Sequence, residues 1–261
     1  MIQLVVSDVE GTLLEKGKKE IAPNIIDQIN SLREAGVLFA VASKRQYPNL
    51  RNLFAGVKQE LIYICENGAL IAYENKVLYK LPILPDVGMM LMGDIWERPG
   101  CELVLSGRTT SYLIPKRERF YHYMEQEMGN RCKRILHPEE VQEEYLKICA
   151  YCEDGVRNHA DYFKSRWENK LQVSCSGEHW IDFNNRNAGK GQAVKRLQKH
   201  FGILPEDTVT IGEDTNDMEM FGQSYFSYAM AQADSGVRKD ARYVTYDVES
   251  VLQDVLLLQE R

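Results

Sequence analysis

The stretch Gln3 to Ser7 (QLVVS) is a near-continuous apolar, β-branched run. It stops at two acids and a glycine: Asp8, Glu10 and Gly11. A run without polar alternation suits a strand buried on both faces, and such strands belong to parallel sheets covered by helices. The next segments have the matching style. Pro23 opens a helical pattern with Ile25, Ile26, Ile29 and Leu32 on one face and Gly36 placed to end it. Val37 to Ala42 and Leu61 to Cys65 read as two more buried strands. From Lys190 to Phe201 a helical stripe of Val194, Leu197 and Phe201 ends at Gly202, and Thr208 to Ile211 follows as a strand. Asn216 to Gly222 begins another helix, Tyr225 to Met230 and Tyr243 to Tyr246 are short strands, and a last helix carries Val251, Leu252, Val255 and Leu256. This alternation predicts an α/β fold, a Rossmann-like doubly wound parallel sheet.

The middle of the chain has another rhythm. Helical patterns cover 86–97, 116–128 and 156–168, and strand patterns cover 102–106, 110–114, 145–152, 171–175 and 179–183. SGRTT and CSGEH read as hairpin turns between consecutive strands, which implies antiparallel pairing. The reading is an α+β segment, 82–183, inserted into an α/β core made of 1–81 and 184–261. A chain of 261 residues has room for both.

Net charge is -6, from 32 basic and 38 acidic residues, which argues against a nucleic-acid partner. No apolar run approaches the ~20 residues that span a bilayer. The six cysteines are dispersed. Cys149 and Cys152 form a CxxC inside a strand, where residues three apart point to opposite faces, so buried reduced thiols are expected there rather than a redox or metal pair. The cytoplasm is the expected compartment. A monomer or a homodimer is expected.

In open parallel sheets, ligands bind beyond the carboxyl ends of the strands. Those positions collect Asp8, Glu10, Gly11 and Thr12 after the first strand, and Ser43, Lys44 and Arg45 after the second. Glu66, Asn67 and Gly68 follow the third. Gly212, Glu213, Asp214, Asn216 and Asp217 follow TVTI, and Lys190 leads the helix before it. Carboxylates, hydroxyls, an amide and cations together suit a phosphate and a divalent metal. A carboxylate nucleophile and a phosphate ester repel one another, and a hard cation on oxygen ligands, with a fixed lysine, offsets that repulsion. Attack by Asp8 would give an aspartyl-phosphate. Glu10, two residues on, suits the acid that protonates the leaving oxygen.

The ordered motifs DVEGT, ASKR, CENGA, KGQA and GEDTNDMEMF resemble those of the haloacid dehalogenase-like hydrolases, in particular the Cof-type phosphatases. The resemblance implies a Mg²⁺-dependent phosphatase acting on small phosphorylated metabolites, sugar phosphates being the commonest class. It also implies a substrate-selecting cap formed by the inserted segment. Asp8 would be nucleophile and metal ligand. Glu10 would be acid/base and lend its carbonyl to the metal. Ser43 would bond a phosphoryl oxygen, and Lys190 would neutralise charge. Glu213 and Asp217 fall on the remaining metal positions. Thr12, Lys44, Arg45, Asn67, Gly68 and Asn216 would line the substrate site. Glu10 and Glu213 replace aspartates of the family pattern, and Lys44 replaces a glycine. Reference carboxyl pKa values differ by only ~0.4, so Glu10 is a competent acid. Asp214 is the alternative to Glu213 as ligand. A phosphomutase, with Lys116, Arg117 and Arg119 as an anion clamp, and a non-catalytic metabolite-binding protein are the alternative readings.

Overall fold

The computed structural model describes residues 1–259. The chain forms two compact units: Met1–Tyr79 together with the chain from Gly189 onward, and Lys80–Ala188 between them.

In the first unit the chain runs through β1 (Leu4–Asp8), α1 (Pro23–Glu34), β2 (Leu38–Ala42), α2 (Tyr47–Leu53), β3 (Ile62–Cys65), β4 (Leu70–Tyr73) and β5 (Lys76–Lys80). The inserted unit supplies α3 (Pro85–Glu97), β6 (Cys101–Ser106), β7 (Ser111–Ile114), α4 (Glu118–His122), β8 (Cys132–Arg134), β9 (Lys147–Cys152), α5 (Ala160–Trp167), β10 (Leu171–Ser176) and β11 (Trp180–Asn185). The first unit resumes with α6 (Lys190–Phe201), β12 (Thr208–Gly212), α7 (Met218–Phe221), β13 (Phe226–Met230), α8 (Ser235–Asp240), β14 (Tyr243–Thr245) and α9 (Val248–Gln259).

The eight-stranded core sheet has the order β14-β13-β12-β1-β2-β3-β4-β5. β1 is flanked by β12 and β2, both parallel to it, so its carboxyl end lies among the ends of its neighbours. Every residue of β1 is buried, which is why the run carries no polar alternation. Leu4, Val6, Ala40, Ala42, Ile62 and Ile64 pack on one face against Val194 and Leu197 of α6. α1 starts at Pro23, whose fixed φ suits a first helical turn. α6 ends at Gly202, left-handed at φ 69°.

The sheet is not wholly parallel. β4 returns antiparallel to β3, and the Glu74–Asn75 link to β5 has both residues left-handed, at φ 49° and 60°. The sequence patterns above contain neither strand, nor α2 or β8. A left-handed pair at a tight turn is usually signalled by Asn-Gly, and Glu-Asn carries no such mark.

The inserted unit is a six-stranded sheet, β10-β11-β9-β6-β7-β8, antiparallel except where β8 runs parallel to β7. One face carries Leu103, Leu105, Ile148 and Cys152 against α3 and α5, through Leu91, Ile95, Phe163 and Trp167. The other carries Val104, Leu113 and Cys149 against Phe120 and Met124. Cys149 and Cys152 therefore lie on opposite faces. The pattern over 116–128 is a short α4 followed by a π-helical turn, Tyr123–Glu127. The pattern over 156–168 is a 3-10 turn, Val156–Asn158, followed by α5. No helix among the described residues is long and apolar enough to cross a membrane.

Candidate active site

Asp8 closes β1 and is 3% exposed. Its Oδ1 accepts from Lys190 Nζ at 2.5 Å, and its Oδ2 from the Thr12 hydroxyl at 3.3 Å. Lys190, at the start of α6, is equally enclosed and also donates to Asp217 Oδ1 at 2.8 Å. The other Asp217 oxygen accepts the backbone N–H groups of Glu213 and Asp214, each at 3.0 Å. Both oxygens of Asp217 are thus engaged, and they shape the loop after β12.

One buried cation therefore lies between two buried carboxylates. Burial and then the Asp217 carboxylate push the Asp8 carboxyl up, while Lys190 pulls it down and Glu10 adds to the rise. For Lys190, burial opposes the charge, but Asp217 and Asp8 outweigh it and hold the ammonium above its ordinary range. The arrangement keeps Lys190 charged and gives the strand end an excess of negative charge.

Glu10 follows on a tight turn in which Leu14 and Gly11 each bond across the chain, at 2.8 and 2.7 Å. Its carboxylate accepts from the Ser43 hydroxyl at 3.0 Å and from Arg45 Nε at 2.5 Å. Ser43 is fully buried and also receives the Arg45 N–H on its oxygen at 3.0 Å. Ser43 and Arg45 are thus brought together around Glu10. Lys44 is paired with Asp214 at 3.2 Å.

The loops after β2 and β3 are laced by backbone bonds, Asn67 N–H to the Ser43 carbonyl and Glu66 N–H to the Arg45 carbonyl, both 3.0 Å. Glu66, Asn67 and Gly68 are all left-handed, at φ 48°, 55° and 87°. Asn67 Oδ1 accepts from Asn216 Nδ2 at 2.9 Å, which ties this loop to the one after β12. Asn216 Oδ1 is buried and has no hydrogen-bond partner. A Cβ on Gly68 would overlap the backbone of Gly189, the residue before Lys190. Close approach at Gly68 is what seats the start of α6. Gly68→Ala is expected to cost roughly 2–5 kcal/mol, from a left-handed non-glycine residue and from overpacking. A fall in the urea midpoint checks it.

Glu213 leans over Gly11, which is left-handed at φ 78°; a Cβ there would overlap the Glu213 carboxylate. Lys16 Nζ lies 3.1 Å from Oε1, and Gln232 Nε2 donates to Oε2 at 3.1 Å and to the Gly11 carbonyl at 2.9 Å. Lys16 and Gln232 are absent from the sequence-derived set. Gln232 lies just past β13, so extending the strand-end rule by one strand finds it. Lys16 is exposed in a charged loop and carries no such signal. The cations proposed for an anion clamp are engaged elsewhere: Arg117 and Arg119 pair with Glu153, and Lys116 bonds the carbonyls of Ile95 and Arg98.

The family model of haloacid dehalogenase-like hydrolases matches residues 5–251. The chain belongs to that family. Among curated members, it is 25% identical over 243 residues to the 5-amino-6-(5-phospho-D-ribitylamino)uracil phosphatase of Escherichia coli, covering 93% of this chain and 90% of that one. It is 23% identical over 246 residues to phosphoglycolate phosphatase 1 of Saccharolobus solfataricus, covering 94% and 90%. Among solved structures, a haloacid dehalogenase-like hydrolase from B. subtilis superposes with a TM-score of 0.83 at 19% identity, over 100% of this chain and 99% of that one. A second, from Bacteroides thetaiotaomicron, gives 0.85 at 17%, over 98% and 100%. The Rossmann-like core is the shared fold.

Proposed function

We propose that this chain is a Mg²⁺-dependent phosphatase that hydrolyses a small phosphorylated metabolite, a sugar phosphate or similar compound, through an aspartyl-phosphate on Asp8. The observation that carries the reading is the buried Asp8–Lys190–Asp217 contact at the end of β1, with the Thr12 hydroxyl on the same carboxylate. The two named relatives act on different phosphorylated compounds at similar identity, which supports the class of substrate and not one member of it.

Asp8 attacks phosphorus in line, forming a new P–O bond as the ester oxygen leaves with its electron pair and takes the Glu10 proton. Water then attacks the aspartyl-phosphate, Glu10 recovers a proton from it, and phosphate departs with Asp8 regenerated. Ser43 and Arg45 hold the longer acid in place, so the added methylene of Glu10 is accommodated. Lys190 neutralises the carboxylate and the phosphoryl group together.

The donor set is all oxygen and carries more negative than positive charge, which fits a hard divalent cation. Asp8, the Glu10 carbonyl and Glu213 are the ligands this reading favours, with the partnerless Asn216 Oδ1 as a further hard oxygen on the same loop as Glu213. Asp217 supports the cation indirectly, since its oxygens hold Lys190 and the loop amides. When bound, Mg²⁺ supplies neutralisation between carboxylate and phosphate. The intact lysine bridge speaks against a non-catalytic relic, and the engagement of Arg117 and Arg119 by Glu153 speaks against a mutase clamp.

The test is phosphate release from a panel of phosphate esters with Mg²⁺, against the same protein in chelator. Release that needs the metal is expected; none on any ester, with binding retained, contradicts the reading. Glu213→Asp probes the adaptation of the site. A shorter acid retreats from Lys16, Gln232 and the space over Gly11, so half-maximal activity is expected to need about 10-fold more Mg²⁺. A gain in activity would mean that glutamate impairs the native site.

A further inference from the structure

The inserted unit holds a second cluster of reactive groups. Cys101 on β6 and Cys152 on β9 are directly opposed. The Glu153 N–H bonds the Gly100 carbonyl at 2.9 Å, which makes the two cysteines a non-hydrogen-bonded pair, the kind whose side chains stand closest. Their Sγ atoms are 3.7 Å apart and both residues are buried. His159, just before α5, is 4% exposed, and its ring and the two sulfurs offer ligand atoms all within 4.8 Å of one another. Asp154 Oδ1 lies 2.7 Å from His159 Nε2.

We propose that Cys101, Cys152 and His159 form a structural Zn²⁺ site, with the exposed Asp154 carboxylate, which stands outside that three-atom cluster beside His159 Nε2, turning in as fourth ligand when the ion binds. Two thiolates at ~2.3 Å from one tetrahedral zinc stand roughly 3.8 Å apart, close to the separation seen here. A disulfide needs sulfurs at ~2.05 Å. Two sulfurs with imidazole and a carboxylate are donors that zinc accepts and that Mg²⁺ does not favour. Two thiolates and a carboxylate on a dication leave one negative charge. Arg98 supplies the counter-charge from beside the ring, its Nε 3.0 Å from His159 Nδ1. The Asp154 side chain is 53% exposed and gives an entry path.

Nε2 now shares a proton with Asp154, and zinc takes that proton's place. Both thiol protons are released, the ring carries its proton on Nδ1, and the Arg98 N–H withdraws toward the Asn158 carbonyl, which Nη2 already bonds at 3.3 Å. The bound ion ties β6, β9 and the start of α5 together.

Metal-stripped, reduced full-length protein is titrated with Co²⁺. Thiolate-to-cobalt charge-transfer bands and tetrahedral visible bands are expected, reaching one equivalent and displaced by Zn²⁺. The oxygen-only site at Asp8 gives no sulfur bands, so the two sites are distinguished. Cys152→Ser and His159→Gln are expected to weaken binding at least ~100-fold, while Cys132→Ser leaves it unchanged. X-ray absorption of the zinc-loaded wild type, which needs no variant to fold, is expected to show two sulfur neighbours. Absence of thiolate bands in folded wild type, bands that persist in Cys152→Ser, or a zinc shell without sulfur overturns the proposal. So does a Cys101–Cys152 disulfide formed on mild oxidation by protein that binds no zinc.

Discussion

Asp8→Asn is expected to lower kcat on any phosphate ester by at least ~10⁴-fold while leaving the fold intact. An amide is not a nucleophile at phosphorus, and the remaining groups cannot replace the covalent step. Stability separates this loss from unfolding. Burial and the neighbouring Asp217 carboxylate disfavour the charge on Asp8. Removing that charge leaves Lys190 paired with Asp217 alone, a neutral buried pair. In metal-free buffer the thermal midpoint should therefore hold or rise. Kinetics with a thermal melt check both halves.

Lys190→Met behaves in the opposite way on stability. It leaves two fully enclosed carboxylates facing each other without their cation. Breaking a buried ion pair from one side costs roughly 3–5 kcal/mol, a fall in Tm on the order of 10 °C for a chain of this size. Loss of the fixed positive charge is expected to lower kcat by ~10²–10³-fold. Loss of activity with no change in Tm would mean that Lys190 is not the counter-ion of the pair. The contrast between the two variants, one inactive and stable, the other inactive and unstable, is particular to a lysine shared by two acids.

The core sheet and the strand-end cluster were legible because both depend on short-range pattern. Leu4 to Asp8 is buried on every residue, so its apolar run and its abrupt end are visible without coordinates. The partnerships were not. Ser43 and Arg45 both bond the Glu10 carboxylate, a meeting of the loops after β1 and β2 that no local pattern marks. Glu213 gains its support from Gln232 and Lys16, on segments that are neighbours only once the sheet is wound. The division of Cys149 from Cys152 followed from strand geometry. The pairing of Cys152 with Cys101 did not, since register across an antiparallel sheet has no local signature.

The covalent intermediate is the central claim, and Glu10→Gln gives direct access to it. With an aryl phosphate, whose leaving group needs no proton, the first step proceeds. The second step lacks its base, so phosphoenzyme should accumulate. Rapid-quench mass spectrometry is expected to find one phosphoryl group on the peptide bearing Asp8, labile to hydroxylamine and missing from Asp8→Asn. Phosphate released at a steady rate with no phosphorylated peptide at any time would contradict the account.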